Sequence, residues 1–170
     1  SLDPGSSDLE LGTESAGNDP QTVGIRFNNI NLPQGAIIQN AYIQFTVDAI
    51  NKNANPCVIT IKGEANDTPS IFKPASAYNI TSRAKTQDSI IWSVSGTSWS
   101  TVGAATADQR TSNLKPIIEN LVNRSGWKSG NSMAFFLNGT GTREVESYDG
   151  DAPKAPMLVI EYIPSSTMSV

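Results

Sequence analysis

The chain has 170 residues, enough for one domain with a sizeable core, and carries 12 Lys and Arg against 16 Asp and Glu, a formal charge of −4. Charged residues make up only 16% of it, against roughly 25% in ordinary soluble domains, so Ser, Thr, Asn and Gly, which supply 62 of the 170 positions, carry its polarity. An acidic balance without any basic run argues against nucleic acid as a partner, and the absence of His removes imidazole bases, Ser/His and Cys/His centres and His-based zinc sites.

No apolar stretch approaches the ~18 residues of a membrane span, so membrane insertion is not expected. The start, Ser1-Leu2-Asp3-Pro4-Gly5, has neither the basic nor the apolar region of a signal peptide, and a mature segment or excised module is expected. Cys57 is the only thiol, and in the alternation Cys57-Val58-Ile59-Thr60-Ile61 it reads as a small buried hydrophobe.

In chain order, Val23, Ile25 and Phe27 alternate with polar positions as in a half-buried strand, followed by turn chemistry at Asn31-Leu32-Pro33-Gln34-Gly35. From Ala36 to Asp48 a longer strand follows, with Ala41, Ile43, Phe45 and Val47 on one face and Tyr42, Gln44 and Thr46 on the other. Asn51 to Pro56 reads as a turn before the strand Cys57 to Lys62, and Ile90 to Val94, Met133 to Asn138 and Met157 to Tyr162 are further β-type runs. One helix is predicted over 113–124. Ser112 or Asn113 would cap it, Pro116 sits in its first turn, and Ile117, Ile118, Leu121 and Val122 form its apolar stripe, with Trp127 folding back over it. Many short strands and one helix predict an all-β fold of two packed antiparallel sheets in a single domain spanning 1–170.

Several blocks carry a resemblance as an ordered set. They are Ser7-Asp8-Leu9-Glu10-Leu11, Val23 to Phe27 with Leu32 to Ala36, Ala41 to Phe45, Gly63-Glu64-Ala65, Ala107-Asp108-Gln109-Arg110-Thr111, Ile117 to Arg124 with Gly126-Trp127, Gly130-Asn131, and Glu146-Ser147-Tyr148-Asp149-Gly150 before Ala155-Pro156. Over about residues 7 to 163 the chain resembles a family of secreted jelly-roll modules appended to bacterial and archaeal extracellular enzymes and surface proteins, and more distantly the DNRLRE-type (disaggregatase-related) modules. The resemblance implies an extracellular, noncatalytic jelly-roll β-sandwich, often calcium-stabilised, with relatives that bind polysaccharide. In the distant relatives the penultimate loop carries Ser-Arg-Glu, whereas here it reads Ser147-Tyr148-Asp149.

Calcium requires six to eight oxygen ligands from loops and strand ends, and Asp8, Glu10, Glu64, Asp67, Asp108, Asp149 and Asp151 are the carboxylates so placed. The resemblance selects Asp8, Glu10 and Asp149 as the structural calcium ligands. A glycan is amphipathic, and an aromatic face with nearby polar groups recognises it. Tyr148, Trp99 and Tyr78 lie near turns and supply candidate aromatic faces, while Arg143 and Arg110 supply cationic contacts to a polysaccharide or surface glycan. Phe27, Phe45, Trp92, Phe135 and Phe136 lie in strand patterns and belong to the core. Glu144 and Glu146 share one strand face but match no catalytic motif, so no enzymatic activity is expected. The second function class is a structural subunit of an extracellular fibre or surface layer, self-assembling through sandwich edges or tails.

Overall fold

The computed structural model describes residues 3–14, 19–73 and 79–165. Seven strands and one α-helix follow in order as β1 (Asp8–Gly12), β2 (Thr22–Phe27), β3 (Ile37–Gln44), β4 (Val47–Gly63), β5 (Ile90–Val94), α1 (Lys115–Val122), β6 (Met133–Glu146) and β7 (Met157–Ile163). The larger antiparallel sheet is built around β6, which pairs with β1 and β2 along one edge and with β4 along the other, and β5 extends it beyond β4. The smaller sheet is the antiparallel pair β3–β7.

Period-two alternation decides what each sheet buries. On β3, Ile38, Ala41 and Ile43 are fully buried, and they share one core with Leu11, Ile25, Ile59, Ile61, Phe135, Leu137 and Val145 of the larger sheet. Phe45 stacks on Trp92 at 5.7 Å between ring centroids. The four stripe residues of α1 are all buried, and the helix lies against β3 and β4. Gly63 makes this approach possible, since a Cβ there would stand 2.8 Å from Ile117 Cγ2. Trp127 closes the helix end, its indole N–H donating to the Leu32 carbonyl at 2.8 Å.

The helix is shorter than its sequence pattern, and its first turn starts at Lys115 rather than 113. Asn113 still serves the end, because its Oδ1 accepts the N–H groups of Lys115 and Ala41, both at 3.0 Å, and so ties the helix start to β3. A larger departure concerns Asn51 to Pro56, which lies within the long strand β4 rather than in a turn. The turn-forming residues are absorbed as a bulge, with Ala49 opposite Glu144 and Ala54 opposite Thr142, so residues 50–53 of β4 face the single residue Arg143. Gly141, at φ +70°, lets β6 pass beneath this bulge, where a Cβ would lie 2.6 Å from the carbonyl oxygens of Ala54 and Pro56.

Candidate functional site

The β1–β6 ladder brings four carboxylates onto the face of the larger sheet away from the core. Leu9, Leu11 and Val145 turn toward the core, so their neighbours Asp8, Glu10, Glu144 and Glu146 turn the other way, with Glu10 directly opposite Glu144 and Asp8 opposite Glu146. Like charges set opposite one another on adjacent strands repel unless a cation lies between them. Two ammonium groups partly meet this need. Lys52, carried over by the β4 bulge, reaches Glu144 Oε1 at 2.8 Å and Glu10 Oε1 at 3.2 Å, and Lys154 reaches Glu146 Oε1 at 3.5 Å and Asp151 Oδ2 at 2.7 Å. Hydrogen bonds to Glu144 and Glu10 hold the Lys52 ammonium well above its ordinary range, and Asp151 raises Lys154 in the same direction. Four carboxylates against two ammoniums leave this face acidic.

Asp8, Glu10 and Glu144 each present an oxygen within 4.8 Å of the others. Two ligands on opposite sides of one Ca²⁺ stand about 5 Å apart at the usual 2.3–2.6 Å bond length, so this spacing suits a shared ion. Glu144 Oε2 is buried and has no hydrogen-bond partner among the described residues. A desolvated carboxylate oxygen with no donor carries an energetic penalty that a cation would remove. Asp8, Glu10 and Glu144 are thus the residues that could hold a divalent cation, with Lys52 already paired to two of them.

This cluster shares two members, Asp8 and Glu10, with the ligand set expected from sequence. Asp149 lies on the exposed tip of the β6–β7 connection, outside the group, whose third member is Glu144. The loop is nonetheless docked on the first segment, because Ser147 Oγ donates to the Ser6 carbonyl at 2.6 Å and Gly150 lies so near Ser7 that a Cβ would meet its carbonyl oxygen at 1.9 Å. Docking fixes the loop backbone and turns the Asp149 side chain outward. Glu64 and Asp67 are engaged elsewhere, by Arg83 at 2.9 Å and Arg124 at 2.6 Å.

Tyr148, on the same loop, is 73% exposed. It stands at one side of an open cleft of about 430 Å³ whose walls include Phe27, Asn28, Ile30, Pro153 and Met157. An aromatic face, apolar walls and a side-chain amide in one cleft suit the alternating apolar and hydroxyl surfaces of a sugar.

The other aromatic and cationic candidates sit differently. Trp99 is 1% exposed and corrects its assignment as a surface platform, since its ring is tilted against Trp92 at 6.1 Å in the core. Arg143 likewise is not a surface contact. It shares the core face of β6 with Val145, is fully buried, and lies beneath the β4 bulge with its guanidinium 5.8 Å from the Trp99 ring. Its donors go to the carbonyls of Thr142 at 2.7 Å and Ala54 at 3.0 Å and to Asn55 Oδ1 at 2.6 Å. Burial pulls its pKa below the ordinary arginine value, and pushes the nearby Cys57 thiol up. Arg110 is exposed, but its guanidinium covers the Tyr42 ring at 4.7 Å and donates to Gln44 Oε1 at 2.8 Å on the outer face of β3. Tyr78 lies outside the described residues.

Glu144 is the member of the acidic cluster that the sequence expectation did not include. The signal that could have found it is the phase of Arg143-Glu144-Val145-Glu146 against Asp8-Leu9-Glu10-Leu11: two strands alternating acid and apolar residues pair only with their acids on one face. No family model matches the chain, and no curated protein matches it significantly.

Proposed function

We propose that the domain is a noncatalytic extracellular carbohydrate-binding or surface-attachment module, stabilised by calcium held between Asp8, Glu10 and Glu144. The observation that carries the binding half of this reading is the exposed Tyr148 ring beside an amphipathic cleft on a docked loop. Support for the calcium half comes from carboxylate oxygens of Asp8, Glu10 and Glu144 lying within 4.8 Å of one another, and from the buried Glu144 Oε2, which has no hydrogen-bond partner among the described residues. Calcium there would neutralise the acidic face and tie β1 to β6, a structural task that asks no chemistry of it. The resemblance to secreted jelly-roll modules supports the same reading. With a net charge of −4, neutral glycans are favoured over polyanions, which would meet no long-range attraction.

A glycan array followed by calorimetry on the best hit tests the proposal. Tyr148→Ala is expected to weaken binding at least tenfold while leaving the melting temperature unchanged, since the ring is exposed. Failure of the array to show any saturable ligand, in the presence of calcium, would remove the carbohydrate reading. The second reading, a self-assembling structural subunit, is favoured by one specific observation, the outer edge of β7, which pairs with no strand among the described residues.

A further inference from the structure

β7 is the least covered strand of the sandwich. Its inner edge pairs with β3 from Ile37 opposite Ile163 to Gln44 opposite Met157, while its outer edge makes no backbone hydrogen bond among the described residues. The far edge of β3 is covered, because the N–H groups of Phe45, Thr111 and Leu114 close hydrogen bonds between β3 and the chain before α1. Of Met157-Leu158-Val159-Ile160-Glu161-Tyr162-Ile163 only Glu161 is charged, and Met157 and Ile163 are 56% and 48% exposed. No proline, lysine or bulge interrupts β7, so Glu161 is the one device on it that opposes pairing of a free edge. A cleft of about 200 Å³ runs beneath this edge, between Leu158, Ile160 and Tyr162 and the connection 29–32, so the inner face is open as well.

The geometry points to a second copy of this chain as the occupant, with the two β7 strands pairing antiparallel about a two-fold axis through Ile160 to make one four-stranded sheet, β3–β7–β7–β3. The strand's own pattern selects both the partner and the register. Opposed residues on neighbouring strands share a face, so keeping both cores on one side of the joined sheet, where each copy helps to roof the other's cleft, puts the axis through a residue. An axis through Glu161 would set carboxylate against carboxylate. One through Val159 would place Tyr162 opposite Pro156, which has no N–H, and leave Ile163 outside the ladder. Through Ile160 every residue of the strand pairs: Met157 meets Ile163, Leu158 meets Tyr162, and Glu161 meets Val159, away from its own copy. The contact is isologous and closes as a dimer. Like any association of two copies, it is concentration-dependent. This inference does not rest on the carbohydrate reading.

Sedimentation velocity of the whole chain, from low micromolar to near-millimolar concentration, tests it. The expected result is a shift from monomer toward twice the mass. Val159→Glu, which adds a carboxylate opposite Glu161 on both sides of the axis, is expected to weaken dimerisation at least tenfold with an unchanged near-ultraviolet circular dichroism spectrum. Adding Glu161→Lys to that variant restores the dimer, which a mere loss of fold would not allow. Val159→Lys alone strengthens it at low salt, and salt removes the gain. A chain monomeric over the whole range, or an association indifferent to Val159→Glu, overturns the proposal.

Discussion

Arg143 shows how one residue's surroundings reverse the meaning of its charge. A guanidinium near a loop invites an electrostatic role, yet the core phase of β6 carries it under the β4 bulge, where the carbonyls of Thr142 and Ala54 and the Asn55 amide oxygen take its hydrogen bonds and no carboxylate pairs with it among the described residues. Its planar fork spreads two nitrogens, one to the Ala54 and Thr142 carbonyls and the other to Asn55 Oδ1, a geometry that the single nitrogen of an ammonium does not reproduce. Arg143→Ala is therefore expected to cost about 3 kcal/mol or more, because it leaves buried acceptors unpaired and opens space beneath Trp99. Arg143→Lys should recover little of that, and urea melts of both variants with midpoints at the wild-type value would show that the bulge does not depend on this side chain. Reading the site from sequence failed here for a physical reason: Arg is so seldom placed on a core face that its charge outweighed the plain alternation with Val145.

Among the elements, α1 was the most legible, since its stripe and its first-turn proline are local signals. Ile117, Ile118, Leu121 and Val122 are all buried as the spacing requires. Leu121→Ala should cost roughly 2–5 kcal/mol, read as a shift in a denaturant melt, because the side chain is lost from a fully packed seam between the helix and β4. A loss under half a kilocalorie would place the helix outside the cooperative core. β4 was the least legible element. Its Asn-rich middle has every mark of a turn, and only pairing with β6 on the far side of the sheet keeps it extended as a bulge. Lys52 owes its position to that bulge, which swings it across to Glu10 and Glu144.

At the scale of the whole molecule, the acidic face is where the first strand and the penultimate one meet, so a cation bound there ties positions 8 and 144 together across the chain. A ligand that binds only the folded state raises stability by mass action, by about 2.7 kcal/mol at a hundred times its Kd. Calcium is expected to raise the melting temperature and excess chelator to lower it, with Glu144→Gln abolishing the response and Asp149→Asn leaving it intact. A midpoint indifferent to calcium would mean that Lys52 by itself is the counter-ion of this face. The Asp149 variant separates the proposed Asp8, Glu10 and Glu144 set from the one expected from sequence.

The sequence by itself determined the all-β class, the two-faced strands, the position of α1 and the exclusion of imidazole chemistry, because alternation, helical spacing and composition are local properties of the chain. Tertiary structure decided what depends on pairing distant segments. Register between β1 and β6 put Glu144 rather than Asp149 beside Asp8 and Glu10, since which acids share a face follows from strand phase across more than a hundred residues. Packing between the sheets likewise turned Trp99 inward while leaving Tyr148 in solvent, and no neighbour in sequence carries that information.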